Sequence, residues 1–330
     1  MRRRELITLL GGAAASWPLA ARAQQSERVR RIGILYGVSG TDLEGQAWDA
    51  AFRKRLAELG WIDGRNVHVE YRWTGGNLDR TKLFANELVQ PSPDVLLAVT
   101  TPATAALQRE THTIPIVFTS VSDPVGSGFV ASLRKPGGNI TGFINMEASL
   151  SGKWVELIHE IAPFVSRMAI LFNPQTAPFA QYYLDTFRSA ATAFSVDIIE
   201  APVHSKAEIE AFMTKLGHEP GAGIVVMPDT SAVVYRETII SLAERYRIPT
   251  IYPLRVFVKD GGLISYGIDY PEMFREAASY VDRILRDEKP NELPVQLPTK
   301  FELIINLKTA KAIALTIPDK LLSTADQVIE

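Results

Sequence analysis

From residue 31 onward the chain alternates short apolar runs with longer amphipathic stretches, and the pattern runs through once and then restarts. Strands separated by helices pair as parallel neighbours through right-handed crossovers, which restricts the chain to the α/β class with buried sheets. In the first block the spacing predicts strands over 31–36, 67–71, 94–99, 114–119 and 140–143. Between them it predicts a helix over 43–59, where Ala47, Ala51, Phe52, Leu56 and Leu59 recur at helical spacing until Gly60 stops them. Further helices are predicted at 78–89, 102–110 and 124–133, and Pro136-Gly137-Gly138-Asn139 reads as a turn. The second block predicts helices at 151–161, 177–194, 205–216, 232–246 and 270–287, and strands at 168–172, 196–200, 223–227, 250–252 and 263–266. Past Lys289-Pro290 and Leu293-Pro294 come a strand at 301–306, a helix at 307–315 and a short helix near Ala325. The expected architecture is two doubly wound parallel-sheet lobes joined by a hinge, with the tail returning to one of them.

The N-terminus reads as an export signal. Met1-Arg2-Arg3-Arg4 is basic, 8–15 is small and apolar, and Ala21-Arg22-Ala23 fits an A-x-A cleavage site. The apolar stretch is shorter than the roughly 20 residues that span a bilayer. Residues 1–23 are therefore expected to be a signal peptide, cleaved near Ala23 to leave a periplasmic chain starting near Gln24. Arg3-Arg4-Glu5-Leu6-Ile7 also fits a twin-arginine signal. The rival reading is an amphipathic N-terminal helix that stays attached.

Composition removes several function classes. The full chain carries 35 Lys and Arg against 37 Asp and Glu, a formal charge of −2, and loss of Arg2, Arg3, Arg4, Arg22 and Glu5 takes it to −5. A mildly acidic chain is a poor nucleic-acid partner, which would need a basic stripe. No later segment is long and apolar enough to insert into a membrane. The absence of cysteine excludes Cys-based catalysis, Cys-ligated metal, disulfides and a lipid-bearing cysteine. There is no G-x-S-x-G elbow, H-E-x-x-H, Walker sequence, or G-x-G-x-x-G after the first strand. His68, His112, His159, His204 and His218 lie scattered, without metal-ligand spacing. No catalytic residue, metal or cofactor is expected.

Open α/β sheets bind ligands just past the carboxyl ends of their strands. Six such turns are polar or aromatic: Tyr36-Gly37, Thr100 to Thr104, Thr119 to Pro124, Asn173-Pro174, Pro228 to Ser231, and Tyr266 to Asp269. Hydroxyls and free N–H groups at a helix start suit a small anion, so Thr100, Thr101 and Ser120 are candidates for a ligand carboxylate. Asp229 suits a ligand ammonium, and Tyr36 and Tyr266 could wall an apolar or aromatic ligand. Ordinary helix capping competes for Thr101 before Pro102, for Ser122-Asp123 before Pro124, and for Asp229. The candidate ligand-binding set is Tyr36, Thr100, Thr101, Ser120, Asn173, Asp229 and Tyr266.

Several stretches together resemble a known family. They are Arg31-Ile32-Gly33-Ile34-Leu35, the run from Asp123 to Leu133, Pro136-Gly137-Gly138-Asn139-Ile140-Thr141-Gly142, Pro228-Asp229-Thr230, and the tail from Pro298 to Ala310. The chain resembles the ABC transporter substrate-binding proteins of the tryptophan/tyrosine-binding-like family over nearly all of its length after the signal. The resemblance implies a type I periplasmic binding protein, with two α/β lobes joined by three crossovers and closing on a small molecule. It implies lobe one at 28–145 with 270–290, and lobe two at 146–269 with 291–330. The ligand class it suggests is an amino acid or small carboxylate, including aromatic ones. The ligand would be delivered to an ABC importer permease, with no chemistry performed on it. Rival readings are a ligand-sensing receptor for a membrane kinase or chemoreceptor, and an exported α/β enzyme.

Overall fold

The computed structural model describes residues 28–330; the signal-peptide reading of 1–23 lies outside them. Strands β1 (Arg30–Tyr36), β2 (Val67–Trp73), β3 (Val95–Val99), β4 (Ile116–Val121) and β5 (Ile140–Ile144) form an all-parallel sheet in the order β2-β1-β3-β4-β5. β3 and β5 are buried at every position, as expected for strands covered by helices on both faces.

The second sheet holds β6 (Arg167–Phe172), β7 (Asp197–Pro202), β8 (Ala222–Val226), β9 (Thr250–Tyr252), β10 (Ile264–Ile268), β11 (Phe301–Asn306) and β12 (Gln327–Ile329). Their order is β12-β11-β10-β9-β8-β6-β7. β11 runs antiparallel to β10, because the chain re-enters this sheet from the other lobe at the end where β10 left it.

The chain crosses between the sheets three times: after β5, after β10, and before β11. The second crossing leads into the helix Tyr270–Leu285, capped by Asp269, whose carboxylate accepts the Glu272 N–H at 3.0 Å. Its buried stripe of Met273, Phe274, Ala277, Val281 and Leu285 follows helical spacing and packs on the helix Leu43–Glu58. Trp61 Nε1 donates to Asp282 at 2.8 Å in the same contact. This helix therefore belongs with the first sheet, as does the chain up to Gln296, where Thr141 Oγ1 donates to the Leu293 carbonyl and Val295 N–H to that of Leu133; the chain rejoins the second sheet at β11. The crossings lie side by side: Ile144 N–H donates to the Gln296 carbonyl, and Gln296 N–H to that of Gly142.

Ties also run between the lobes at the rim. Arg236 Nη1 lies 2.9 Å from Asp42 across the gap while its Nε holds Asp260 on its own side at 2.7 Å. Lys259 meets Glu44 at 2.9 Å. Tyr183 OH donates to the Ser122 carbonyl at 2.7 Å.

Three local expectations are corrected. Residues 124–133 do not form a helix. Asp123 Oδ1 accepts the Gly126 N–H, but Gly128 adopts φ +71° and Phe129 N–H closes back on the Pro124 carbonyl, ending the turn after one revolution. The predicted 232–246 helix is two, Thr230–Val234 and Arg236–Arg245, broken at Tyr235. The tail places its short helix at Asp319–Leu322 and then forms β12 where a helix near Ala325 is expected.

Candidate functional site

The carboxyl ends of strands from both sheets face one cleft between the lobes, about 400 Å³ including its opening to solvent. Thr100, Thr101 and Ser120 reach it from the first lobe, and Asp229 from the second.

Thr100 follows β3 and is the N-cap of the helix Thr101–Glu110, yet its side chain makes no capping bond. It is held at φ +100°, a region that disfavours side chains. Gly37 accounts for how it fits: a Cβ there would stand 2.4 Å from Thr100 Oγ1, so only glycine lets the threonine lie against the end of β1. Ser120 sits at φ +59° in an irregularity of β4, where the pairing with β5 shifts register between Phe118 and Val121. Such bulges re-aim a side chain. The hydroxyls of Thr100, Thr101 and Ser120 are all buried without a hydrogen-bond partner. Each can donate, and the Thr101–Glu110 helix start adds free N–H groups and positive dipole. The first-lobe face is thus an array of unspent donors around a space that suits an acceptor-rich group.

On the second lobe, Asp229 is 3% exposed. Its carboxylate accepts from Asn173 N at 2.7 Å, from Ser231 N at 2.9 Å, and from Thr176 Oγ1. It is the N-cap of Thr230–Val234 as well as part of the cleft lining. Burial pushes its carboxyl up to about 6, against the opposing pull of these three hydrogen bonds. Among the described residues it is the only carboxylate in the lining, and none of them brings a cationic side chain to the cleft.

The walls are aromatic and apolar. Trp48, 3% exposed, stacks on Tyr270 with ring centres 4.9 Å apart, and both line the cleft with Phe179 and Leu254. Trp48 Nε1 is a further buried donor without a partner. Asn145 Nδ2 donates to Tyr270 OH at 3.2 Å and its Oδ1 accepts from Ser122 Oγ at 2.9 Å, which fixes that wall at the first crossing.

The structure brings together Thr100, Thr101, Ser120 and Asp229 but not the other sequence candidates. Tyr36 is fully buried in the first lobe, its ring 3.9 Å from Trp73 and its hydroxyl donating to Asp49 at 3.2 Å. As the last residue of β1 it points sideways into the helix layer, so it does not wall the cleft. Tyr266 lies mid-strand in β10, where its ring stacks on Phe301 of the neighbouring strand at 5.7 Å, and it is outside the lining. Asn173 stands behind the site: besides its N–H to Asp229, its side chain bonds Ser231 Oγ and the Gln175 N–H. Sequence reasoning missed Trp48, Asn145, Thr176, Phe179 and Tyr270. The available signal was for Tyr270, the first residue of a helix that starts at a strand's carboxyl end.

Residues 31–329 match the family model described as ABC transporter substrate binding protein. The chain is 26% identical over 292 residues to a tyrosine-binding protein of Clostridioides difficile (strain R20291), covering 87% of this chain and 82% of that protein. It is similar to the crystal structure of a conserved domain protein from Vibrio cholerae O1 biovar El Tor, with 28% identity, TM-score 0.85, and coverage of 91% of this chain and 100% of that one. It is also similar to an ABC domain from Streptococcus pneumoniae in complex with L-Trp, with 26% identity, TM-score 0.84, and coverage of 91% and 99%.

Proposed function

The chain belongs to the ABC transporter substrate-binding protein family, and from that premise we propose that it is a periplasmic receptor that captures a zwitterionic aromatic amino acid and delivers it to an ABC importer. The observation that carries this reading is the pairing across one cleft of unpartnered hydroxyls with a buried carboxylate. Thr100, Thr101 and Ser120 hold the ligand carboxylate, Asp229 takes its ammonium, and Trp48, Tyr270 and Phe179 pack its ring. The relatives described as binding tyrosine and L-Trp support the ligand class.

Lobe one (28–145 with 270–296) and lobe two (146–269 with 297–330) move as two bodies about the crossings. Each holds one end of the ligand, so the closed state gains contacts that the open state lacks, and that difference drives closure. No bond in the ligand is made or broken.

Titration calorimetry with L-tyrosine, L-tryptophan, tyramine and 3-(4-hydroxyphenyl)propionate tests the reading. The two amino acids should bind, and removing either charged end should weaken binding about tenfold or more. Tyramine or the propionate binding as tightly as tyrosine would overturn it.

A further inference from the structure

Thr101, which lines the cleft, also lines a second, adjoining space along the helix Thr101–Glu110. We propose that this wing admits a second residue, so that the receptor also takes an aromatic amino acid extended at its carboxyl end by an acidic one, an aromatic–acidic dipeptide. The proposal rests on the reading of the central cleft given above.

The wing and the cleft are both open to solvent, with about 730 Å³ and about 400 Å³ of space respectively when that opening is included. Thr101 lines both, so the point where the ligand carboxylate is held is also the junction between them. From the second lobe, one short segment serves both spaces: Thr176 and Phe179 face the cleft, while Gln175 faces the wing. The wing differs from the cleft in charge. Ala105 and Ala106 give it an apolar side, and Lys82 and Arg109 give it two cations where the cleft has none. Lys82 shares Asp79 at 3.5 Å, whereas Arg109 forms no ion pair among the described residues.

A peptide carbonyl can replace the carboxylate at Thr100, Thr101 and Ser120, because those hydroxyls ask only for an acceptor. The negative charge lost there reappears on the second residue, within the part of the site that carries the unpaired guanidinium. Gln175, with both donor and acceptor atoms, suits the backbone of that residue.

The test compares L-tyrosine, L-tyrosyl-glycine and L-tyrosyl-L-glutamate by calorimetry on the wild type and on Arg109→Ala, an exposed position. Tyrosyl-glutamate should bind roughly fivefold tighter than tyrosyl-glycine, as for one partly exposed ion pair. Arg109→Ala should abolish that preference and leave tyrosine binding unchanged. Tyrosine binding without either dipeptide, or a glutamate preference that survives Arg109→Ala, would overturn the wing and leave the central reading standing. Failure of all three ligands to bind would overturn both.

Discussion

On the first-lobe face of the cleft, Thr100 and Thr101 are buried and Ser120 is half-buried; all three hydroxyls lack a partner, and two of the residues sit on strained backbone. On the second-lobe face Asp229 is just as buried, yet it holds three donors and caps a helix. An unpaired buried hydroxyl and a side chain at positive φ each cost about 1–3 kcal/mol. The first face therefore stores a deficit that an acceptor-bearing ligand relieves. The second is a finished network that a ligand only completes. On the proposed reading, one face is organised for binding at the expense of stability, while the other serves both.

The largest effect should come from breaking the finished face. Asp229→Ala leaves a ligand ammonium unpaired and strips the partner from Asn173 N, Ser231 N and Thr176. L-Tyrosine affinity should fall by about 2–5 kcal/mol in calorimetry, and the unliganded protein should also melt lower by scanning calorimetry. A variant that binds normally would assign Asp229 to capping alone.

The same carboxylate predicts opposite pH trends for folding and binding. Its folded value of about 6 lies above the ordinary 3.8, so the unliganded protein retains a proton that the unfolded chain has lost. This group's contribution to stability is fully present below about 3.8 and is lost as pH rises through about 6, amounting to about 3 kcal/mol. Binding needs the ionised form, so tyrosine affinity should fall as pH drops below about 6. Calorimetry at pH 5 and pH 7.5 checks this, and Asp229→Asn should flatten the binding profile.

Ser120→Gly should have the smallest effect and two signs. It removes one donor to the ligand carboxylate, weakening tyrosine by about 1–2 kcal/mol. It also relaxes the φ +59° backbone and raises stability by up to about 1 kcal/mol. A loss of stability as large as its loss of affinity would erase the contrast between the faces.

Much of this was legible in the sequence because strand ends are legible. The apolar runs ending at Val99, at Phe118 and before Asp229 mark where chain leaves a sheet, and polar residues there had one open side to face. The walls were not legible in the same way. Periodicity reports that Trp48 and Tyr270 are buried but cannot separate burial in a lobe's core from burial between lobes. Tyr36 and Tyr266 show the converse error: Tyr36 ends its strand but turns into the helix layer, and Tyr266 lies mid-strand because β10 runs on to Ile268. The direction of β11 depends on a return from the other lobe, which no local pattern encodes.

The rim ties between Arg236 and Asp42 and between Lys259 and Glu44 bear on time rather than on selectivity. None of these four side chains lines the cleft; Arg236 reaches it only through the backbone carbonyl of Val233, so the ties bear little on which ligand is chosen. If the proposed closure holds, the lobes part only when both pairs separate. Charges at a partly exposed rim are screened by salt, whereas the hydroxyls within are not. Ionic strength thus becomes a clock on the dwell time of the captured molecule, set apart from the chemistry that chose it.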